Sequence, residues 1–315
     1  MTLRVIGNTT RDIFYLTQNF PMPGESVLAF ERKEDVGGKG FNQAVAAARA
    51  GAKVCFTTSI GNDAPAEILR MAINAEEGMV ANILTAPFST DESVIMISDE
   101  SENAIVSTAD CARWLDVQSL APTLESVIQG DLLLMQGNMN HETTANALSQ
   151  ARARGAISVL NIAPLPQDAA ALVEMADIVV LNLVEACTIL GHTCVKIETN
   201  SIASAINSGK MLQEQSGSII LLTLGSNGCV ILSPDAEPIE ISAPRVEAVD
   251  TTGAGDTFTG WFCAGRMRGL SLEDAVKEAV DAAALMVTRL GTGNALPSRT
   301  EYVKFLEEQC QNELG

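Results

Sequence analysis

Short apolar runs alternate along this chain with stretches whose apolar residues recur every three or four positions. The runs Leu3–Ile6, Val54–Thr58, Leu132–Met135, Ser158–Asn161, Ile178–Leu181 and Ile219–Thr223 set apolar residues side by side without regular alternation. They are too short for helices, and their pattern is that of strands covered on both faces. Between them, Phe41–Ala50, Ala64–Asn74, Thr143–Arg154 and Ile202–Gln213 carry helical spacing, and the chain from Gly255 to about Glu308 is mostly helical. This alternation predicts an α/β fold with a central, mostly parallel sheet and helices on both faces.

Two segments break the rhythm. Ser26–Lys33 reads as a strand after the turn "PMPGE", and "SVIMI" and "AIVST" flank the polar turn "SDESEN" as a β-hairpin. They are expected either to project as a small β-sheet lid, with segments at about 11–36 and 92–109, or to extend the edge of the main sheet. With no Pro- or Ser-rich linker and no internal repeat, the expectation is a single domain over 1–315 with an embedded lid.

Composition narrows the function. A formal net charge of −19 argues against a nucleic-acid surface, which needs Lys and Arg against phosphates, and 4% aromatic residues leave little to stack bases on. No apolar run approaches the roughly 20 residues that span a bilayer. The start "MTLRVIGNTT" lacks the layout of a signal peptide, so a cytoplasmic protein is expected. The seven cysteines include no C-x-x-C and read as reduced, mostly buried thiols. His141 and His192, without ligand spacing, read as surface or helix-end residues rather than zinc or triad components.

The chain contains neither a G-x-x-x-x-G-K-[ST] loop nor a G-x-G-x-x-G fingerprint, so any nucleotide must be held another way. The stretch "VDTTGAGDTFTGWF" offers one. A strand-like run, Arg245–Val249, leads into Gly253 and Gly255, which permit positive φ and close approach. The helix that follows has orphan N–H groups and a dipole that favour an anion, and Asp256 in its first turn is placed to take a proton from a hydroxyl. The plainer alternative is a turn with a capped helix.

Three further stretches have the same double reading. In "GGKGFNQAVAAARAG", Gly37, Gly38 and Gly40 admit a ligand beside Lys39 and Asn42, or simply open a tightly packed helix that ends before a C′ glycine, Gly51. In "LNLVEA", Asn182 and Glu185 share a helix face that suits water around Mg²⁺, or form a helix cap. "TLGSNG", Thr223–Gly228, is a turn able to pass beside an adenine, or a hairpin.

Taken in order, "GGKGFNQA", "GND" at Gly61–Asp63, "LNLVEA", "TLGSNG", "DTTGAGDTF" and "VTRLGTGNALP" resemble the ribokinase-like (PfkB-type) carbohydrate kinase family over nearly the whole chain. The resemblance implies Asp256 as catalytic base, with Gly253, Ala254 and Gly255 as anion hole. It implies Asp12, Gly38, Lys39 and Asn42 at the sugar, and Asn182 with Glu185 organising Mg²⁺–ATP, Glu185 through water. Thr223, Gly225, Ser226 and Gly228 would line the nucleotide site. Asp250, Thr252, Met286, Arg289 and Gly291 would frame a monovalent-cation site for K⁺, and the lid would pair two subunits into a homodimer.

Three departures stand out against the family pattern. Thr10 replaces an Asn before Asp12, Asn138 replaces a Glu that reaches a sugar hydroxyl, and Val280 replaces a His set against adenine in some members. Losing a carboxylate acceptor changes how hydroxyls are paired, which moves the expected substrate away from ribose. The expected activity is therefore an ATP-dependent phosphotransferase acting on a primary hydroxyl of a small sugar or sugar-like molecule. A nucleoside or pseudouridine-like kinase is the alternative, followed by a non-catalytic sugar- or nucleotide-binding protein.

Overall fold

A strand that is apolar at every position needs cover on both faces, and this requirement organises the molecule. The structure, a computed structural model, describes residues 1–99, 103–191 and 202–314. The strands are β1 (Leu3–Ile6), β2 (Thr10–Leu16), β3 (Glu31–Gly37), β4 (Val54–Ile60), β5 (Met79–Thr85), β6 (Glu92–Ile97) and β7 (Asn103–Ser107). They continue as β8 (Leu132–Gln136), β9 (Ile157–Asn161), β10 (Ile178–Asn182), β11 (Ile219–Thr223), β12 (Cys229–Leu232) and β13 (Ile239–Ile241). Nine of them form the central sheet in the order β13-β12-β11-β10-β9-β8-β1-β4-β5. It is parallel from β5 to β11, while β12 and β13 run antiparallel.

Alternate residues of each strand feed two cores. Leu132, Leu134, Val180 and Leu221 face one side. There they meet α1 (Lys39–Arg49), α9 (Ala254–Met267) and α10 (Leu272–Met286), which contribute Ala44, Trp261 and Val276. Leu133, Met135, Val179 and Leu222 face the other side. They pack on Leu124 of α4 (Val117–Glu125), Leu148 of α5 (His141–Ala153), Leu172 of α6 (Ala169–Met175) and Leu212 of α8 (Ile202–Ser216). Helices α2 (Ala64–Ala75), α3 (Asp110–Trp114), α7 (Leu183–Ile189) and α11 (Arg299–Leu314) complete the order. The predicted helices and the six buried strands lie within a few residues of their observed bounds, and the expected α/β architecture is the observed one.

The remaining four strands make a separate sheet, β3-β2-β6-β7, rather than extra edges of the main one. The hairpin is β6 with β7, and its turn falls partly outside the described residues. The strand expected at Ser26–Lys33 is instead Glu31–Gly37. Its Glu31–Glu34 side chains are all exposed, so no apolar alternation marks it, and the ladder to β2 from Thr10↔Gly37 to Leu16↔Glu31 fixes its bounds. Arg245–Val249 does not form a strand either; its end is held by Val249 N–H donating to the Val287 carbonyl at 2.7 Å.

Among the described residues no helix is long and apolar enough to cross a membrane. Cys111, Cys187, Cys229 and Cys263 are buried, Cys55 is half-buried and Cys310 exposed. His141 is exposed at the start of α5, as expected, whereas His192 and Cys194 lie outside the described residues.

Candidate active site

The chain adds β4 and β5 to one side of β1 and β8 to β11 to the other, so the strand order reverses between β1 and β8. In open parallel sheets the loops leaving the carboxyl ends of such neighbouring strands part and leave a crevice. Helix α1 begins there. Its Phe41 N–H donates to the Asn8 carbonyl at 3.0 Å and its Gly40 N–H to Asn8 Oδ1 at 3.1 Å.

The glycines before α1 serve the protein's own packing. Gly38 has φ 95°, but a Cβ on Gly37 would stand 1.9 Å from Asp12 Oδ2, and one on Gly40 would stand 2.6 Å from the Gly7 backbone. Gly37 therefore makes room for Asp12, and Gly40 for the loop after β1, which is the tight-packing one of the two readings that the sequence left open.

Across the crevice α9 starts at Gly253, whose φ of 80° is left-handed. Gly255, where glycine would have permitted positive φ, is ordinary helix, and a Cβ there would meet nothing within 4 Å. Its lack of a side chain opens space instead of relieving the backbone. Asp256 lies in the first turn, only 6% exposed. Two neighbours on α1 hold its carboxylate: Asn42 Nδ2 donates to Oδ2 at 3.1 Å and Gln43 Nε2 to Oδ1 at 2.9 Å. The helices can approach this closely because Gly260 faces Ala46; a Cβ on Gly260 would be 2.6 Å from that of Ala46.

Asp12, on β2, turns toward the same crevice and is 4% exposed. Burial pushes its carboxyl up to about 6, against hydrogen bonds from Thr10 and Ser93 that lower it, while the charges of Asp35 and Asp256 add to the rise. Thr10, read from sequence as a departure, donates Oγ1 to Asp12 Oδ1 at 2.7 Å. Asn138, just past β8, is half-buried, and its Oδ1 has no partner; nor has Asn42 Oδ1. Buried acceptors left without donors are costly unless a ligand or water completes them.

Asn182 and Glu185 form the capping box of α7: Glu185 N–H donates to Asn182 Oδ1 at 2.9 Å and Asn182 N–H to Glu185 Oε2 at 2.8 Å. The plainer reading of that pair is thus realised, with one oxygen of Glu185 left over. Burial raises the Glu185 carboxyl above its ordinary value, opposed by its hydrogen bond from the Asn182 backbone and by the charge of Lys39.

Beside the start of α9 lies a cavity of about 510 Å³. Its wall gathers Thr223, Gly225, Ser226, Gly228 and Val280 from the sequence reading with Ala254 and Gly255. Sequence reasoning missed the rest of the lining: Ala243–Val246 and Ala248, an extended segment that carries no motif, and Phe258, Ala283 and Ala284 from α9 and α10. Asn182 is not part of this lining.

Behind the turn, Asp250 accepts Thr252 N–H at 2.9 Å and Gly291 N–H at 3.1 Å, and the Met286 carbonyl accepts Arg289 N–H at 3.1 Å. The five residues assigned to a monovalent cation are therefore neighbours. The Arg289 guanidinium is directed elsewhere, to Glu301 at 2.9 Å. The same loop is tied to the small sheet: Asn294 Nδ2 donates to Asp35 Oδ1 at 2.8 Å and Thr292 Oγ1 to Asp35 Oδ2 at 3.3 Å. Among the described residues no group of three His, Cys, Asp or Glu side chains is placed to hold a metal ion.

The sequence reading also missed Gln43 and its partners Gln136 and Asn161. A signal existed, since two amides open a helical run of small residues buried on every side, and buried amides need partners.

Comparison with known proteins agrees with this geometry. The sequence model described as pfkB family carbohydrate kinase matches residues 2–299. The chain is 32% identical to the ribokinase of Haemophilus influenzae over 97% of its own length and 98% of that protein. It is 29% identical to the deoxyribokinase of Salmonella typhi, covering 97% of this chain and 99% of the other. The crystal structure of the Cryptococcus neoformans ribokinase in complex with ADP superposes with a TM-score of 0.82 at 26% identity, covering 98% of both chains. The chain belongs to the pfkB family of carbohydrate kinases and is a sugar kinase, a phosphotransferase with an alcohol group as acceptor.

Proposed function

We propose that this enzyme transfers the γ-phosphate of ATP to a primary hydroxyl of a small sugar or sugar-like acceptor, with Asp256 as the base. One observation carries the reading. Of the residues assigned to the nucleotide from sequence, all but Asn182 line a single cavity that reaches Ala254 and Gly255 in the first turn of α9, and Asp256 follows them with its carboxylate held by Asn42. The cavity suits a nucleoside in volume and apolar lining. The ADP complex of the Cryptococcus neoformans protein supports the same assignment.

Asp12, Gly38, Lys39, Asn42 and Asn138 bind the acceptor, and the unpartnered Oδ1 atoms of Asn42 and Asn138 take hydroxyl protons. Gly253, Ala254 and Gly255 offer helix-start N–H groups to the transferring phosphoryl group, where negative charge accumulates. Asp256 accepts the hydroxyl proton late, as a loose transition state requires. Mg²⁺ neutralises phosphate charge when bound. The free oxygen of Glu185 and the Asn182 amide fit a role of ordering its waters. K⁺ beside Asp250, Thr252, Met286, Arg289 and Gly291 would steady the turn. The small sheet acts as a lid, and exposed Ile105 and Val106 of β7, with Leu28 and Phe30 in the loop before β3, support pairing of two subunits there. The expected compartment is the cytoplasm.

The test is ADP release from Mg–ATP, with and without K⁺, across pentoses, hexoses, deoxy sugars and nucleosides. Turnover on one free sugar, lowered roughly 10²–10⁴-fold by Asp256→Asn with ATP binding retained, is the expected result. Turnover on nucleosides alone would shift the acceptor class. An Asp256→Asn variant as active as the wild type would remove the mechanism.

A further inference from the structure

Asp256 is held by a relay of amides whose orientations are all fixed. The relay starts at the Val180 carbonyl of β10, which can only accept, so Asn161 must turn its Nδ2 toward it, at 3.1 Å. Asn161 Oδ1 then faces Gln43 and accepts one Nε2 hydrogen at 2.9 Å. The second Nε2 hydrogen goes to Asp256 Oδ1, also at 2.9 Å. Gln43 Oε1 accepts Gln136 Nε2 at 2.9 Å. Turning the Gln43 amide over would set oxygen against both Asn161 Oδ1 and Asp256 Oδ1, and nitrogen against nitrogen at Gln136. Gln43 is 0% exposed, and both Nε2 hydrogens and its Oε1 have partners inside the protein.

The two carboxylate oxygens of Asp256 are therefore unequal. Oδ1 is bound by Gln43, deep in the core. Oδ2 is bound by Asn42, whose own Oδ1 is buried and lacks a partner. We infer that Gln43 is a positioning residue for Asp256, and that Oδ2 is the oxygen that takes the acceptor's proton. This rests on Asp256 being the base. In the step so defined, the acceptor O–H gives its proton to Oδ2 as its oxygen bonds to the γ-phosphorus. The bond from that phosphorus to the bridging oxygen breaks, and its electron pair leaves with ADP. Asn42 Oδ1 is free to accept from a second hydroxyl of the same acceptor, which orients it.

Steady-state ADP release by the full chain, using Mg–ATP and the panel acceptor of highest turnover, tests this. Gln43→Leu is expected to lower kcat roughly 10- to 100-fold with KM for ATP within about threefold, because the carboxylate swings off its line. Gln43→Glu sets two carboxylates in hydrogen-bond contact that must share a proton, so the acid limb of the kcat profile moves up by about one pH unit or more. Asp12 on β2 is the other carboxylate whose charge reaches Asp256, and it is unchanged in these variants. A purely structural Gln43 would lower the melting temperature and leave the acid limb in place. If Gln43→Leu does not fold, Gln136→Met removes the donor to Gln43 Oε1, loosens the Gln43 amide and is expected to cut kcat in the same sense by a smaller factor. Folded Gln43 variants that keep more than about half the wild-type kcat with an unmoved acid limb would overturn the inference, given an inactive Asp256→Asn. A fully active Asp256→Asn would instead sink the base assignment beneath it.

Discussion

Replacing Asp12 by Asn should make the protein more stable and less able to bind its acceptor. Asp12 is 4% exposed, and burial lifts its carboxyl from an ordinary 3.8 to about 6. The folded state therefore binds the proton more tightly than the unfolded chain. Stability falls as pH rises from about 4 to about 6, and the full cost of the buried charge is present above that range. At about 1.4 kcal/mol per pH unit, the difference corresponds to roughly 3 kcal/mol. Asn keeps the acceptor oxygen for Thr10 but brings an NH₂ group beside Gly37, so a net gain of about 1–2 kcal/mol is expected at pH 7.5. In a chain of this size that is a rise of roughly 1.5–3 °C in melting temperature.

Urea and thermal unfolding of both proteins between pH 4.5 and 8 measure the effect, alongside KM for acceptor and for ATP. The advantage of the variant should shrink toward pH 4.5, and only the acceptor KM should rise. A variant that melts below the wild type at pH 7.5 would refute the reasoning, as would a difference independent of pH. Such a gain would show that the fold tolerates an unfavourable charge because that charge serves binding.

Other expectations follow from single positions. Gly255→Ala should fold like the wild type, since its Cβ meets no protein atom, yet raise KM for ATP several-fold by intruding on the cavity; an unchanged KM would place the nucleotide elsewhere. Asn138→Glu should raise D-ribose turnover relative to the best acceptor by roughly 5- to 150-fold, the equivalent of one buried polar group gaining its partner. An unmoved ratio would remove Asn138 from the acceptor site. Asp35→Ala cuts the bonds from β3 to Thr292 and Asn294, and should raise the acceptor KM with kcat nearly kept if the small sheet closes over the acceptor. Equal effects on both substrates would argue for simple destabilisation, which unfolding by urea would detect.

Much of this molecule was legible from its residues in order. Buried strands announce themselves because a strand covered on both faces is apolar at most positions with no alternation, and β1, β8, β9, β10 and β11 are of this kind. The edge strand β5 and the charged β3 were not legible or were misplaced, because solvent on one face leaves composition free. Motif order gave the family, and the pocket wall from Thr223 to Gly228 with Val280 lies together as expected. What glycine is for could not be read from sequence: at Gly37 and Gly40 it admits the protein's own atoms, at Gly255 it leaves a cavity open, and among these helix-start glycines Gly38 and Gly253 are the ones with positive φ.

The sequence by itself determined the layering, the helix that starts at "GAGD" and the identity of the charged groups, since periodicity and local turn chemistry act over a few residues. Only the tertiary structure decided which groups meet. Asn42 and Gln43 reach Asp256 across 214 and 213 positions, and Asp35 reaches Asn294 across 259. Such contacts are set by how helices cross and loops part at the reversal of strand order, and no local pattern encodes that geometry.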